Sequence, residues 1–242
     1  SIARGRQSQT TREEYVARIC RGGLPLAVDR NQAERDRWFD DYLKVSLERD
    51  LQELSSVRHE RLVPALLQRL AGQTAQVLNM AAVARDVGLT SGSAETYTRL
   101  LGDLFLIRRL EAWGRTLRSR AAAAPKLHMV DSGLAARLLR LTPEKLARLD
   151  PAAMTEFGHL LETFVVGELL KQATWSDDVS AVGHWRTHDG QEVDLVVEHR
   201  GGEVTAFEVK AAERVTKRDG RGLRALRDAL GDSFSAGCLL TT

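Results

Sequence analysis

The sequence is poor in cysteine, proline and aromatic residues, and it has no long apolar run. Of its 242 residues, 2 are Cys and 5 are Pro, and aromatic residues make up 5%. Cys20 and Cys238 lie near opposite ends of the chain, which argues against a disulfide-rich scaffold and a cysteine-based zinc site and suits a reducing compartment. No apolar run approaches the ~20 residues that cross a bilayer, and no signal-peptide pattern is present. We therefore expect a cytoplasmic protein with no membrane partner.

The sequence also lacks an excess of charge of either sign. Its 35 Lys and Arg residues and 33 Asp and Glu residues give a net charge of +2, which excludes a polycationic tail and a strongly acidic chain. Hydrophobic residues make up 43% of the chain and charged residues 28%, fractions that are typical of a globular protein with a buried core. The length fits one large domain or two modest ones.

Helical periodicity dominates the beginning of the chain. The pattern predicts a short helix over 13–20 that ends at the Gly-Gly-Leu-Pro segment 22–25, because this segment combines strong helix breakers. A longer helix is predicted over 34–54. We expect residues 1–55 to be a helical remnant or linker that follows an upstream domain.

Residues 56–124 have the pattern of a winged-helix-like domain. Helices are predicted over 62–71, 80–87 and 93–104, followed by a strand in FLIRRLEAW, and this order is typical of a helix-turn-helix with a wing. The third helix presents Glu95, Arg99 and Asp103, whereas a helix that enters a DNA groove normally presents cations and amides. The pattern therefore leaves open whether this domain reads DNA or packs against a partner.

A basic arm ends this domain. Six cations stand between residues 108 and 126 against Glu111 alone, a run that fits either a solvated loop or an arm that contacts phosphate. Lys126 closes the run. The candidate nucleic-acid contacts are five arginines of the arm and one arginine further along the chain: Arg108, Arg109, Arg115, Arg118, Arg120 and Arg186.

The last part of the chain, residues 125–242, reads as helix, three strands, helix and strand. Within the strand QEVDLVVEH, alternation places Val193, Leu195 and Val197 on one face and Asp194 and Val196 on the other. This order predicts an α+β or α/β unit.

A hairpin within this unit carries the candidate chemistry. A turn at Gly201-Gly202 brings Asp194 next to Glu208, and Lys210 lies on the same face as Glu208. Two carboxylates beside a lysine form a hard-oxygen site for Mg²⁺ or Mn²⁺, and such a site suits phosphodiester hydrolysis. An ion-paired surface hairpin would show the same residues, so the pattern leaves both interpretations open.

With Glu162 in the preceding helix, these residues resemble the PD-(D/E)xK restriction-endonuclease-like superfamily. The resemblance implies an αβββαβ domain whose catalytic residues are Glu162, Asp194, Glu208 and Lys210, with Asp194 and Glu208 as metal ligands. In that superfamily a glycine often precedes the helix glutamate by a few residues. Because a glycine lies four residues before Glu162, that residue is preferred to Glu168.

A wider resemblance covers nearly the whole chain. The segments GGLP, FDDYLKVSLERDLQEL, PKLHMVDSGLAARLL, LLETFVVGELL and AFEVKAA resemble the C-terminal half of a family of prokaryotic P-loop (AAA+-like) ATPases, a half that is a domain of unknown function. The resemblance implies an upstream ATPase domain and DNA as partners. No G-x-x-x-x-G-K-[S/T] motif occurs in the sequence, so we expect no ATP site in this chain.

These observations lead to two hypotheses about function. In the first, the chain is the metal-dependent, DNA-processing effector half of an ATPase. In the second, it is a non-catalytic DNA- or protein-binding module, or a regulatory module, on the same nuclease-like fold.

Overall fold

Helices form most of the first part of the chain, and the longer strands come last. The computed structural model describes residues 9–53, 60–114, 116, 124–148, 150–212, 215–216 and 218–242. The helices are α1 (Arg12–Arg21), α2 (Gln32–Glu53), α3 (Val63–Ala71), α4 (Met80–Val87), α5 (Ser91–Asp103), α6 (Ser132–Leu138), α7 (Pro143–Leu146), α8 (Pro151–Thr174) and α9 (Arg221–Leu230). The strands are β1 (Gln76–Val77), β2 (Ile107–Leu110), β3 (Lys126–Met129), β4 (Val179–Arg186), β5 (Glu192–His199), β6 (Val204–Lys210) and β7 (Phe234–Thr241). This mixture of helices and sheets confirms the predicted α+β class at its coarsest level.

Local signals in the sequence explain where several helices begin and end. Thr11 and Glu14 form a reciprocal capping box at the start of α1. The side chain of Asn79 caps α4, and Gly88 ends that helix in the left-handed conformation with φ 78°. Glycine adopts this conformation without the steric cost of a Cβ atom, so α4 ends where the sequence predicts.

The long helix before the hairpin begins earlier than predicted. Periodicity indicates a start near residue 157, but α8 begins at Pro151. The side chain of Asp150 accepts a hydrogen bond from the amide of Ala153, and proline is favourable in a first helical turn because no intrahelical partner exists there for its missing N–H. Pro151 is therefore the first residue of this helix.

The strands form two sheets. The first has the order β1-β3-β2 with antiparallel pairs, and the second has the order β4-β5-β6-β7, in which only β6 and β7 are parallel. The domain boundary that the sequence predicts between residues 124 and 125 falls between β2 and β3, which pair over four positions.

A short parallel contact joins the two sheets after β2. The amide of His184 donates to the carbonyl of Glu111, and the amide of Trp113 donates to the carbonyl of His184 at 2.6 Å. A Cβ atom on Gly183 would lie 2.6 Å from the Glu111 carbonyl oxygen. The absence of a side chain at Gly183 therefore permits this close approach of the backbones.

The core has a large helical part and two smaller parts, one on each face of the second sheet. On one face, Leu195 and Val197 pack with Val166 and Leu170 of α8. The other face packs against α9 through a second cluster that includes Val196, Ala206, Leu223 and Leu226. The second sheet is thus covered by α8 on one side and by α9 on the other.

The cysteines and the apolar character of the helices are the last features of the fold. Cys20 and Cys238 are both free. No described helix has the length and apolar character needed to cross a membrane.

The fold predicts a large effect at Asp131, a buried carboxylate that joins α1 to α6. Its Oδ1 accepts from the Leu134 amide at 2.8 Å, and its Oδ2 accepts from the Gly23 amide at 2.7 Å. We expect Asp131→Ala to lower the free energy of unfolding by about 2–3 kcal/mol, because it removes a helix cap and leaves a partly buried amide without its partner. Urea unfolding monitored by circular dichroism measures the change.

Two variants serve as controls for this prediction. Asp131→Asn keeps one acceptor oxygen and should lose less stability than Asp131→Ala. Asp103→Ala removes an exposed carboxylate at the end of α5 and should change stability by less than about 0.5 kcal/mol. Equal losses for Asp131→Ala and Asp103→Ala would contradict the bridging role of Asp131.

Candidate functional site

The β5–β6 hairpin brings Asp194 and Glu208 to neighbouring positions. Gly202 adopts φ 86° in the turn, and Leu195 pairs with Phe207 across the two strands. One position further along this register, Asp194 lies across from Glu208. The Val209 amide donates a 2.8 Å hydrogen bond to Oδ2 of Asp194, so the aspartate side chain accepts a bond from β6 directly.

A β-bulge in β5 sets the orientation around Asp194. The pairs with β4 on either side of the bulge are Gly183 with Val196 and Trp185 with Val193. Asp194 and Leu195 therefore stand across from a single residue, and such an insertion redirects side chains locally. It also moves Val193 into the same cluster as Val196, so the predicted separation of these two valines onto opposite faces is wrong.

Lys126 lies at the centre of the site. Its ammonium is 2.7 Å from Oε1 of Glu162, 2.8 Å from Oδ1 of Asp194 and 2.5 Å from Oε1 of Glu192. The ammonium donates hydrogen bonds to Glu162 and Asp194 and forms an ion pair with Glu192. The side chain of Lys126 is only 1% exposed, which corrects the expectation that it ends a solvated basic arm.

Glu208 and Lys210 lie beside this cluster. The ammonium of Lys210 is 2.8 Å from Oε1 of Glu208. Oε2 of Glu208 is buried and has no hydrogen-bond partner among the described residues. The side chain of Glu208 is 8% exposed and that of Lys210 is 36% exposed. Lys210 is thus more accessible to solvent than Lys126, whose side chain is 1% exposed.

The first turn of α9 lies close to the backbone of Glu192 and to the carboxylate of Glu208. A Cβ atom on Gly222 would lie 1.8 Å from the carbonyl oxygen of Glu192 and 3.0 Å from Oε2 of Glu208. Only glycine allows the helix to approach this closely. The approach helps to keep Glu208 buried.

Of the three glutamates in α8, Glu162 and Glu168 have different surroundings. Glu162 contacts Lys126 inside the site. Glu168 lies on a half-exposed part of the helix and pairs with Lys171 at 2.6 Å. The structure thus places Glu162, and not Glu168, with Asp194 and Glu208.

Burial and the negative charge of neighbouring carboxylates raise the pKa of Glu162 and of Glu208. Burial, reinforced by the charge of Asp194, raises the pKa of Glu162 to about 8 and that of Glu208 to about 7. Burial alone would lower the pKa of Lys126, but its carboxylate partners have the larger effect and the pKa is raised. Lys126 therefore carries its charge at neutral pH.

Negative charge exceeds positive charge in this cluster. When fully ionised, the four carboxylates of Glu162, Glu192, Asp194 and Glu208 face two ammonium groups. The guanidinium of Arg186 approaches only Glu192, at 3.8 Å, from the exposed rim. Among the residues that the structure describes, an excess of negative charge remains even when Arg186 is counted, and it can be compensated by protons or by a bound cation.

Two buried imidazoles lie near the ammonium. Burial and the charge of Lys126 lower the pKa of His128 to about 3 and also lower that of His184. Nε2 of His184 lies 3.2 Å from the carbonyl oxygen of Ala124. Both imidazoles are therefore neutral at physiological pH and add no positive charge to the cluster.

Among the described residues, the arginines predicted to contact nucleic acid have different surroundings. Arg108 is exposed on β2, whereas Arg109 forms a 2.6 Å ion pair with Glu95 of α5. Arg186 lies at the rim of the carboxylate site. The other three candidates, Arg115, Arg118 and Arg120, lie outside the described residues.

The donor chemistry of the site fits a hard divalent cation, but its arrangement is not a ready-made cage. Within the part of the chain that the structure describes, no group of three or more His, Cys, Asp or Glu side chains is arranged to hold a metal. The ammonium of Lys126 stands between three of the carboxylates. Asp194 and Glu208 are the side chains that could hold Mg²⁺ or Mn²⁺, since carboxylate oxygens are preferred ligands of these ions. Among the described residues, Oε2 of Glu208 is buried and has no hydrogen-bond partner.

Sequence reasoning missed Lys126 and Glu192 as parts of the site. Lys126 belongs by position to a basic stretch, and only its place at the start of the fully buried strand β3 distinguishes it. Glu192 lies two residues before Asp194, and the recurrence of charge in an otherwise apolar strand is the signal that could have identified it.

Two family models match successive parts of the chain. The chain belongs to the family of the domain of unknown function DUF8612, whose model matches residues 12–145. Residues 157–242 match the model of a second domain of unknown function, DUF4143. The first match covers the helical part and β1 to β3, and the second covers most of α8 together with β4 to β7. The expected resemblance to a domain of unknown function is confirmed at this level.

Two mycobacterial proteins are similar over most of the chain. An uncharacterized protein of Mycobacterium bovis and one of Mycobacterium tuberculosis are each 29% identical over 217 residues, which is 88% of this chain and 45% of the relative. The chain thus spans less than half the length of these relatives. No solved structure gives a significant match.

The raised pKa of Glu162 predicts a specific dependence of stability on pH. In a chelator-containing buffer, folded Glu162 holds its proton up to about pH 8, whereas the unfolded group releases it near 4.5. The folded state binds more protons across this range, so the contribution of Glu162 to stability falls as pH rises from about 4.5 to 8. We expect Glu162→Gln, which does not titrate, to gain stability relative to the unsubstituted protein over that range.

Glu168→Gln is the matched control, because Glu168 lies on the same helix and is half-exposed. Its stability relative to the unsubstituted protein should stay constant between pH 5 and 8.5. Urea unfolding at several pH values measures both differences. A constant difference for Glu162→Gln would contradict the raised pKa.

Proposed function

We propose that this chain is the nucleic-acid-processing half of a P-loop ATPase and that it carries a divalent-metal-dependent phosphodiesterase site. The single observation that carries the proposal is the convergence of Asp194, Glu208 and Lys210 at one end of the β5–β6 hairpin. Oε2 of Glu208 is buried there and has no hydrogen-bond partner within the described part of the chain. Glu162 adds a third carboxylate from α8.

The arrangement of elements around the site supports the nuclease part of this proposal. The order α8, β4, β5, β6, α9 and β7, with a sheet covered on both faces, resembles the αβββαβ core of PD-(D/E)xK endonucleases. In that superfamily the helix glutamate, the strand aspartate and the Glu-x-Lys strand meet at one edge of the sheet. In this proposal Glu162, Asp194, Glu208 and Lys210 correspond to these residues.

The residues of the site have distinct roles in this proposal. Asp194 and Glu208 would hold Mg²⁺ or Mn²⁺, which supplies an activated water and neutralises charge on the scissile phosphate. Lys210, on the solvent side, stabilises the charge that develops on the phosphate in the transition state. Arg186 at the rim contacts a neighbouring phosphate.

The first half of the chain supports a nucleic-acid partner less directly. The helices α3, α4 and α5 with the sheet β1-β3-β2 resemble a winged helix. The exposed part of α5 includes both Arg99 and Asp103, and Glu95 neutralises Arg109. We therefore assign non-specific phosphate contact to the basic arm and its neighbourhood, and not base reading to α5.

The upstream ATPase rests on resemblance and on length. The two relatives are about twice as long as this chain, which leaves room for a further domain in each of them. In the proposed arrangement that domain hydrolyses ATP and this chain acts on DNA.

Metal-dependent cleavage of DNA tests the proposal. We expect cleavage of single-stranded, duplex or branched DNA in Mg²⁺ or Mn²⁺. Lys210→Met should reduce cleavage by about 100-fold or more while DNA binding changes little, because the ammonium acts on charge that is present only in the transition state. Asp194→Ala should abolish both cleavage and Mn²⁺ binding.

Glu168→Gln is again the control and should cleave at the unsubstituted rate. If the chain forms part of a longer protein, the same variants are tested in that protein. Cleavage that survives Asp194→Ala, or equal losses of binding and cleavage in Lys210→Met, would contradict the proposed roles.

A second candidate function is a non-catalytic binding module on the same fold. The observation that favours it is Lys126, which already satisfies three carboxylates without a metal. In this case DNA or a protein partner binds, but no Mn²⁺ binds at Asp194 and no cleavage occurs under any condition.

A further inference from the structure

Lys126 reaches the carboxylate site from a different sheet. It is the first residue of β3, which lies between β1 and β2, whereas Asp194 and Glu192 belong to β5. The ammonium therefore links the first sheet to the candidate catalytic centre.

The contacts of Lys126 use oxygens that a metal ion would also need. Oδ1 of Asp194 bonds to Lys126 at 2.8 Å, and Oδ2 accepts from the Val209 amide. Both oxygens of the first proposed ligand thus already have a donor. Oε1 of Glu162 also bonds to the ammonium, at 2.7 Å.

The charge of Lys126 adds to this competition. A divalent cation held by Asp194 and Glu208 would share the Asp194 carboxylate with the ammonium, in a site where Lys126 is 1% and Asp194 4% exposed. Two positive charges that contact the same buried carboxylate repel each other strongly, because buried groups are poorly screened. The bound metal and the bound ammonium therefore disfavour each other.

We propose that Lys126 is a built-in cation that competes with the divalent metal and lowers its affinity for the site. This inference rests on the proposed function, because it assumes the metal site at Asp194 and Glu208. Without metal, the ammonium holds the carboxylates together so that the fold does not require a metal ion. Metal binds at the expense of the contacts between Lys126 and the carboxylates.

Calorimetric titration with Mn²⁺ alone tests the inference without any measurement of cleavage. We expect Lys126→Met to bind Mn²⁺ about tenfold or more tightly than the unsubstituted chain, because the competing charge is removed. The double variant Lys126→Met with Asp194→Ala should lose that gain. Lys171→Met removes a lysine that pairs with Glu168 at the surface and should leave Mn²⁺ affinity unchanged.

Folding of the variants is checked by circular dichroism in a chelator. Lys126→Met leaves three carboxylates without their cation, which is strongly destabilising. Lys126→Gln is therefore a second variant, since its amide keeps two donor protons without the charge. Where neither variant folds alone, Mn²⁺ should restore the fold of Lys126→Met, and a failure of Mn²⁺ to restore it would contradict the inference.

The outcomes separate this inference from the proposed function. If the unsubstituted chain binds Mn²⁺ through Asp194 and the Lys126 variants bind it equally or more weakly, the competition is refuted while the metal site stands. If neither the unsubstituted chain nor the Lys126 variants bind Mn²⁺, both the metal site and the competition are refuted.

Discussion

The structure around the candidate site depends on one interaction, the burial of a single ammonium among three carboxylates. Asp194 and Glu162 are largely shielded from solvent and would be costly to bury without a cation, whereas Glu192 is partly exposed. Lys126 compensates them at once with three short contacts. The pairing also connects three separate parts of the chain: β3, α8 and the beginning of β5. Removing the ammonium would therefore affect the packing of both sheets as well as the chemistry of the site.

The surrounding backbone is adapted to this cluster. The bulge at Asp194 and Leu195 sets the direction of the aspartate, and Gly222 lets α9 approach Glu192 and Glu208 closely. Gly183 permits the contact that joins the two sheets. The bulge interrupts the regular pairing of the sheet, and glycine within a helix or a strand lowers the stability of that element. Such departures are common where a site is held in a particular geometry. They are consistent with a site that has a function beyond folding.

Sequence patterns predict the local features of this fold well. The extent of α4, the turn at Gly201-Gly202 and the proximity of Asp194, Glu208 and Lys210 all follow from periodicity over a few residues. The role of Lys126 does not, because it arises from packing between β3 and β5, which are far apart in the sequence. The bulge that redirects Val193 depends in the same way on pairing with β4. Long-range contacts of this kind leave no periodic signal in a single sequence.

Anomalous diffraction from crystals soaked in Mn²⁺ tests the central claim most directly, because it locates the ion and the lysine in one experiment. The account predicts an anomalous peak at ~2.0–2.3 Å from a carboxylate oxygen of Asp194 and of Glu208. It also predicts that the contacts of the Lys126 ammonium with Asp194 and Glu162 lengthen in the same crystals. A saturating soak that gives no peak there and leaves the three short contacts of Lys126 intact would contradict the metal site and favour the non-catalytic module.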